Sequence, residues 1–480
     1  MAAAQSTLAR SEGAGASYIW ILAAVGLVAF GAASGVAIAF GETGAFYITL
    51  SLILAAAILL DFRIGAVALT LVLPISQTNF FPHSMFGIPA LNPFNILVFA
   101  TLVSYALRGR LAVLAPAPLV WLYVVPILIA GLIGMPNFER IFPSFFERET
   151  LSFTSAFGYF RDMAIRPLLI VATAMLVAAA VARAQRPERF IGAIIAAVWV
   201  IALLELAVLA SAGVRLGALA SVSGRDADYY DELGLHPNDL GRLFAVAYAL
   251  LLFVWWETKN AVLKTVLFAT LGIAGIALVL TFSRGGFLGA LIASGLFLLW
   301  KFNAKTVTLA LIAAIFVLLL APEPVYDRIT MGFDSGDMNV VSAGRIEGIW
   351  APLLPETLKS PIWGNGIGSV MWSDPLWNGM MLLVAHAHNA YLEAVLDMGF
   401  VGLALLLAFY WHVWRNFRAL GANAYLSPEM RALFQGGAAA LVVLLVTAWT
   451  GSSLRPEMEF SLLWVAIGMM YGMLARKPAN

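Results

Sequence analysis

The stretch AHAHNAYLEAVLDMGFVGLALLLAFYW, residues 385–411, puts two histidines, an asparagine and two carboxylates at the head of an apolar run long enough to cross a bilayer. Near neutral pH an imidazole such as His388 can take a proton from a hydroxyl. If a helix starts near Asn389, then Asn389, Glu393 and Asp397 recur every four residues and share one face, with His388 a turn from Tyr391. A purely structural reading has Asn389 capping the helix and the acids complementing its dipole. It leaves Asp397, two turns into the span, and His388, at its boundary, without a role. Ionisable groups inside a membrane are costly and functional by default.

Three other stretches carry chemistry. Residues 221–242, SVSGRDADYYDELGLHPNDLGR, offer Arg225, the acidic run Asp226, Asp228, Asp231 and Glu232, and then His236-Pro237-Asn238-Asp239. Asp226-Ala227-Asp228 has the oxygen donors of a hard-cation site, but the same spacing also occurs in a solvated acidic loop. Asn238 and Asp239 read as caps of the span that begins there. Residues 342–369, SAGRIEGIWAPLLPETLKSPIWGNGIGS, start a short amphipathic helix at Arg345 and end in a turn at Gly364, Gly366 and Gly368. That turn lacks the preceding strand and following helix of a nucleotide loop and reads as a close backbone approach. In LTFSRGGFLGALIA, Arg284 either binds an anion or ties loop carbonyls together. A guanidinium matches phosphate oxygens bidentately. Three arginines and a histidine on one side of a membrane suggest local capture of an anionic headgroup.

These residues need elements to hold them. The 480-residue chain is 62% hydrophobic and 11% charged, against about 25% charged in soluble domains, so it is an integral membrane protein. With no cysteine, disulfides, thiolate metal sites and a cysteine nucleophile are excluded. Fourteen apolar runs are candidate spans, near 18–40, 45–60, 64–75, 94–107, 117–135, 164–182, 190–210, 239–256, 264–281, 287–300, 306–321, 389–411, 433–450 and 459–475. The first is too long for a signal peptide's apolar region and reads as an uncleaved helix. The short runs lower the count to twelve if they do not span. The expected fold is an all-α polytopic membrane protein of 12–14 transmembrane helices, with a long, partly helical periplasmic loop before the third-last helix.

More than half of the 28 Lys and Arg fall in alternate connections. By the positive-inside rule those connections and both termini are cytoplasmic. The opposite face is net acidic and carries every long connection: 76–93, 136–163, 211–238 and 322–387. Loops this long are commonly functional. Residues 136–163 mix aromatics with charges and read as an amphipathic segment lying on the bilayer.

Taken together, HNAYLEAVLDMGFVGL, SRGGFL, AGRIEGIWAPLLPETLKSPIWGNGIGS and GRDADYYDELGLHPNDLG resemble, in order, motifs of the O-antigen ligase and O-antigen polymerase superfamily. The resemblance implies an N-terminal helical part (1–215), a core with the periplasmic loop (216–410) and a C-terminal helix pair (411–480). It implies a metal-independent, inverting glycosyltransferase in a bacterial inner membrane, with no cofactor. The donor would be a glycan on undecaprenyl pyrophosphate, and the acceptor a glycan or lipid A core hydroxyl on the periplasmic face. Arg225 and Arg345 would hold the pyrophosphate, Arg284 would be a further contact or structural, and His388 would be the general base, oriented by Asn389, Tyr391 or Glu393. A transporter or flippase of lipid-linked glycans is the competing reading. It predicts mid-bilayer polar groups, broken helices and repeats, whereas here Glu205 is the only isolated acid deep in a candidate span.

Overall fold

The computed structural model describes residues 43–86, 88, 91–108, 115–147, 151, 153–211, 228–320, 323–330, 332–451 and 453–476. Arg225, Asp226 and the candidate span near 18–40 lie outside the described residues. The described chain is helical throughout and holds no β-strand, only one isolated bridge between Met85 and Ile88. Its long helices are α1 (Thr43–Leu60), α2 (Phe62–Val72), α3 (Pro93–Arg108), α4 (Ala117–Arg140), α5 (Ala156–Arg183), α6 (Pro187–Ser211), α7 (Pro237–Glu257), α8 (Ala261–Leu280), α9 (Arg284–Trp300), α10 (Ala304–Leu320), α11 (Ala390–Ala422), α12 (Pro428–Thr447) and α13 (Met458–Ala475). Eight of them, α4 to α8 and α11 to α13, are long and apolar enough to cross a membrane, and the other five are shorter apolar helices. The protein is an all-α polytopic membrane protein. Every candidate span that falls on the described residues is a helix.

The most enclosed helices are α7 and α13. Helix α7 packs against α8, α9 and α12, while α13 packs along α5. The α5–α13 contact depends on small residues, the usual route to close approach between membrane helices. A Cβ added at Gly468 would lie 2.1 Å from the Ala174 carbonyl oxygen, and one at Gly472 would lie 2.6 Å from that of Ala178. Helix α7 is capped by His236, whose Nδ1 accepts from the Asn238 N–H at 3.1 Å, with Pro237 at the first helical position. The cap is therefore two residues earlier than Asn238 and three earlier than Asp239, because the proline cannot donate and suits the first turn.

Between α10 and α11 the long connection is partly helical, with turns at Glu323–Thr330, Met338–Val341, Ile346–Trp350, Ala351–Leu353, Leu354–Leu358, Ser369–Trp372 and Asp374–Trp377. It does not stand alone. Ile141, Phe145, Phe153 and Tyr159, from the end of α4 through the start of α5, form a small core with Met371, Trp372 and Leu376. Phe142 N–H donates to the Met371 carbonyl at 2.9 Å, and Trp377 Nε1–H to the Arg140 carbonyl at 3.0 Å. Phe145, Phe153 and Tyr159 of 136–163 thus face protein under the long connection, while Phe157 stays 66% exposed. An aromatic amphipathic pattern looks the same whether lipid or protein covers it.

Candidate active site at the head of helix α11

Helix α11 begins where the residue types demand. The Asn389 side chain accepts from the Tyr391 and Leu392 N–H groups at 3.1 and 3.2 Å, an N-cap. The Tyr391 hydroxyl donates to the Leu445 carbonyl, and its ring packs on Trp449 at 5.4 Å between centroids. Tyr391 thus ties α11 to α12.

Glu393 is buried on the same face. One carboxylate oxygen accepts from the Ala387 N–H at 3.2 Å, and the other meets Arg455 Nη2 at 3.4 Å. Arg455, in the α12–α13 connection, also donates to the Met163 carbonyl at 3.0 Å and to Ser453 Oγ at 3.1 Å. Asp397 is 1% exposed, and its Oδ1 accepts from Ser369 N–H and Oγ–H at 3.1 and 3.0 Å. The deep carboxylate is thus a fastener for the glycine turn. Helix α11 breaks at Gly399 (φ 68°, ψ −179°), a region essentially restricted to glycine. The break frees the Leu396 and Asp397 carbonyls, which accept instead from Asn365 and Gly366 N–H at 2.8 and 3.0 Å, while Phe400 N–H donates to Pro361. The close backbone approach expected at the glycine turn is made to this kink. A Cβ at Gly364 would sit 2.3 Å from the Asp397 carbonyl carbon.

His388 lies one residue before this fastened helix. Its backbone is left-handed (φ 49°), uncommon outside glycine and several-fold enriched in Asn, Asp and His. Its ring meets that of His386 at 4.0 Å between centroids. The flanking chain is pinned to the segment that starts at Arg345: Trp350 Nε1–H donates to the Ala387 carbonyl at 2.9 Å, and Leu382 N–H to that of Gly348 at 2.9 Å. Burial, then the His386 ring, Arg345, His236 and Arg242 push His388 down to about 3. Burial pushes His386 down to about 4 against the pull of Asp239, with Arg345, Arg242 and His236 acting in the same direction as burial. Both imidazoles are therefore neutral at pH 7. Nδ1 of His386 is buried and has no hydrogen-bond partner among the described residues.

Arg284 stands at the first position of α9, after the Ser283 cap. Its Nη1 reaches the Val341 carbonyl at 3.4 Å, tying the N-terminus of α9 to the chain four residues before Arg345. Of the two roles read from sequence, this contact is the one that ties loop carbonyls. The structure thus gathers Arg345, His386 and His388, with Arg284 joined to the same connection. Arg225 is outside the described residues, as are Asp226 and the side chain of Asp228.

Residues 267–407 match the family model described as O-antigen ligase. Over that segment the chain is similar to the O-antigen ligase family. The segment contains Arg284, Arg345 and His388 together. No curated protein matches the chain. The match supports an enzyme of the O-antigen ligase or polymerase type in general.

Two arginines beside the O-antigen ligase segment were missed from sequence. Arg242, 4% exposed, is held by Glu459 at 2.6 Å and Asp239 at 3.5 Å, and it donates to the Thr450 carbonyl at 3.1 Å. Arg455 pairs with Glu393. The available signals were an arginine in the first turns of a span (HPNDLGR) and a charged connection between the last two spans (SSLRPEMEF). Neither stretch names its buried partner, because Arg242–Glu459 and Arg455–Glu393 join residues far apart in sequence.

Proposed function

We propose that the chain is an inverting glycosyltransferase that needs no metal and moves a glycan en bloc from undecaprenyl pyrophosphate to an acceptor hydroxyl. The membrane is the bacterial inner membrane, the termini are cytoplasmic and the face bearing residues 322–387 is periplasmic. The acceptor oxygen attacks the anomeric carbon of the donor sugar, and the bond from that carbon to the pyrophosphate oxygen breaks. His388 takes the acceptor's proton. Undecaprenyl pyrophosphate departs with its extra negative charge held by Arg345 and Arg225, the electrostatic contribution that usually dominates such catalysis. Arg284 and Glu393 position the two halves of the site, Arg284 through Val341 and Glu393 through the Ala387 N–H. Asn389 and Tyr391 fix the helix that carries them.

The observation that carries this reading is the pinning of the His388 segment to the Arg345 segment within a stretch that matches O-antigen ligase. A neutral imidazole surrounded by cations is a weak base. Pyrophosphate seated among the guanidiniums cancels their field and raises His388 toward the operating pH, where general-base catalysis is most efficient. Donor binding thereby switches on the base.

The test is transfer by the purified protein in proteoliposomes supplied with a lipid-pyrophosphate glycan and excess chelator. Growth of the glycan on donor alone identifies a polymerase, and product only after addition of lipid A core identifies a ligase. Transfer that stops in chelator contradicts metal independence. Movement of intact donor across the bilayer without any new glycosidic bond contradicts the enzyme and supports a transporter.

A further inference from the structure

Behind the His388 segment lies a cavity of about 250 Å³ between the end of α4 and the long connection. Its polar lining comes from Asn137 and Arg140 on α4 and from Glu356, Lys359, Asn365 and Ser373 on the connection. Asn137 and Arg140 fall outside the stretch that matches O-antigen ligase. The charges here are balanced. Lys359 Nζ lies 2.7 Å from Glu356 in the lining and 2.6 Å from Asp374 outside it, and Arg140 adds a cation near Asp374. Such a lining offers many hydrogen-bond donors and acceptors but no net field for an anion.

Leu353, Val370 and Leu396 supply an apolar wall, and the same three residues pack with Ala387, next to His388. This packed layer joins the cavity wall to the chain beside the histidines. Its volume is below the roughly 300–1,000 Å³ of sites for drug-sized ligands, which restricts it to one small ring.

We infer that this cavity is a saccharide subsite, binding one sugar of the glycan chain while the pyrophosphate sits with Arg345. The inference rests on the proposed glycosyltransferase reading for its substrate. Hydroxyls match the paired Glu356 and Lys359 and the side chains of Asn137 and Arg140, and the apolar wall takes the ring's C–H face. An oligosaccharide can then be held on both sides of the reacting bond.

Two variants test it. Ser360→Trp, at the lining, fills the cavity, and Arg140→Met removes donors while leaving the backbone carbonyl that Trp377 uses. In the first arm, glycan released by mild acid from the producing cell's lipid-pyrophosphate pool is titrated onto the purified protein by saturation-transfer NMR. The wild type should bind and Ser360→Trp should lose the signal; equal binding by both overturns the subsite. In the second arm, the ratio of KM for an oligosaccharide substrate to KM for one carrying a single sugar should rise about tenfold in Arg140→Met, since a binding contact distant from the reaction is lost. A rise in donor KM places the donor glycan in the cavity, and a rise in acceptor KM places the acceptor there. An unchanged ratio overturns the proposal. Should the wild type transfer no glycan at all, the glycosyltransferase reading fails, and the binding arm still decides the cavity.

Discussion

Two neighbouring parts of one segment, His386–His388 and Glu393–Asp397, are built on opposite principles. Every acid of the second part is answered: Glu393 by Arg455 and the Ala387 N–H, Asp397 by Ser369. In the first part, the two imidazoles are desolvated, placed ring to ring and surrounded by groups that oppose a proton, and His388 stands in a left-handed conformation. Backbone strain of this kind persists only where the surroundings over-determine it, and it gathers at functional sites. A buried charge is therefore a poor guide to chemistry by itself. Satisfied charges hold the scaffold, and the unsatisfied group beside them is free to act.

The sharpest way to break this comparison is His388→Asn. Asparagine tolerates the left-handed backbone but cannot act as the base, so kcat should fall by about 10²–10⁴-fold with the melting temperature unchanged. A melting temperature that falls with the activity would make His388 scaffold. Arg455→Met should do the reverse. It leaves Glu393 and Asp397 without their buried counter-charge, which costs roughly 3–5 kcal/mol and should appear as a large drop in thermal stability in detergent. Gly399→Ala comes next. Its backbone region costs about 1–3 kcal/mol for other residues, and the added methyl would sit 2.2 Å from the Ile362 carbonyl oxygen. Limited proteolysis of the 360–368 turn should speed up in this variant.

The remaining effects are in pH. His386 and His388 titrate near 4 and 3 when folded, below an unfolded histidine at about 6.5. The unfolded chain therefore binds more protons between these values. Stability is full above pH 6.5 and declines progressively as pH falls toward 4 and then 3, visible as a melting temperature lower at pH 5 than at pH 7.5. For catalysis, kcat/KM reports the free enzyme and kcat the complex. The acid limb set by His388 should accordingly lie at higher pH in kcat than in kcat/KM, because bound pyrophosphate raises the imidazole.

Much of this architecture was legible in the sequence. Apolar length marks membrane helices wherever they stand, so the spans followed directly, and the Asn389 cap is a local rule that needs no partner. The glycine turn announced a close approach, but the kink it docks into depends on Gly399, which looks like any small residue in a span. Asp397 was read as chemistry and is a structural acceptor, because its answer, Ser369, arrives from the long connection. Arg242 and Arg455 were overlooked for the same reason: an ion pair across helices leaves no spacing to read. His388 stood out because it is hydrophilic where an apolar span meets a long loop, and Arg345 because it opens a short amphipathic stretch within that loop.

The central claim, that Arg345 and His388 serve one reacting centre, is tested most directly by a double-mutant cycle on kcat/KM with Arg345→Lys, His388→Asn and the pair. Groups that act on the same transition state are strongly non-additive, so the double variant should be about as slow as the slower single variant. Losses that multiply, as for independent sites, would contradict the account.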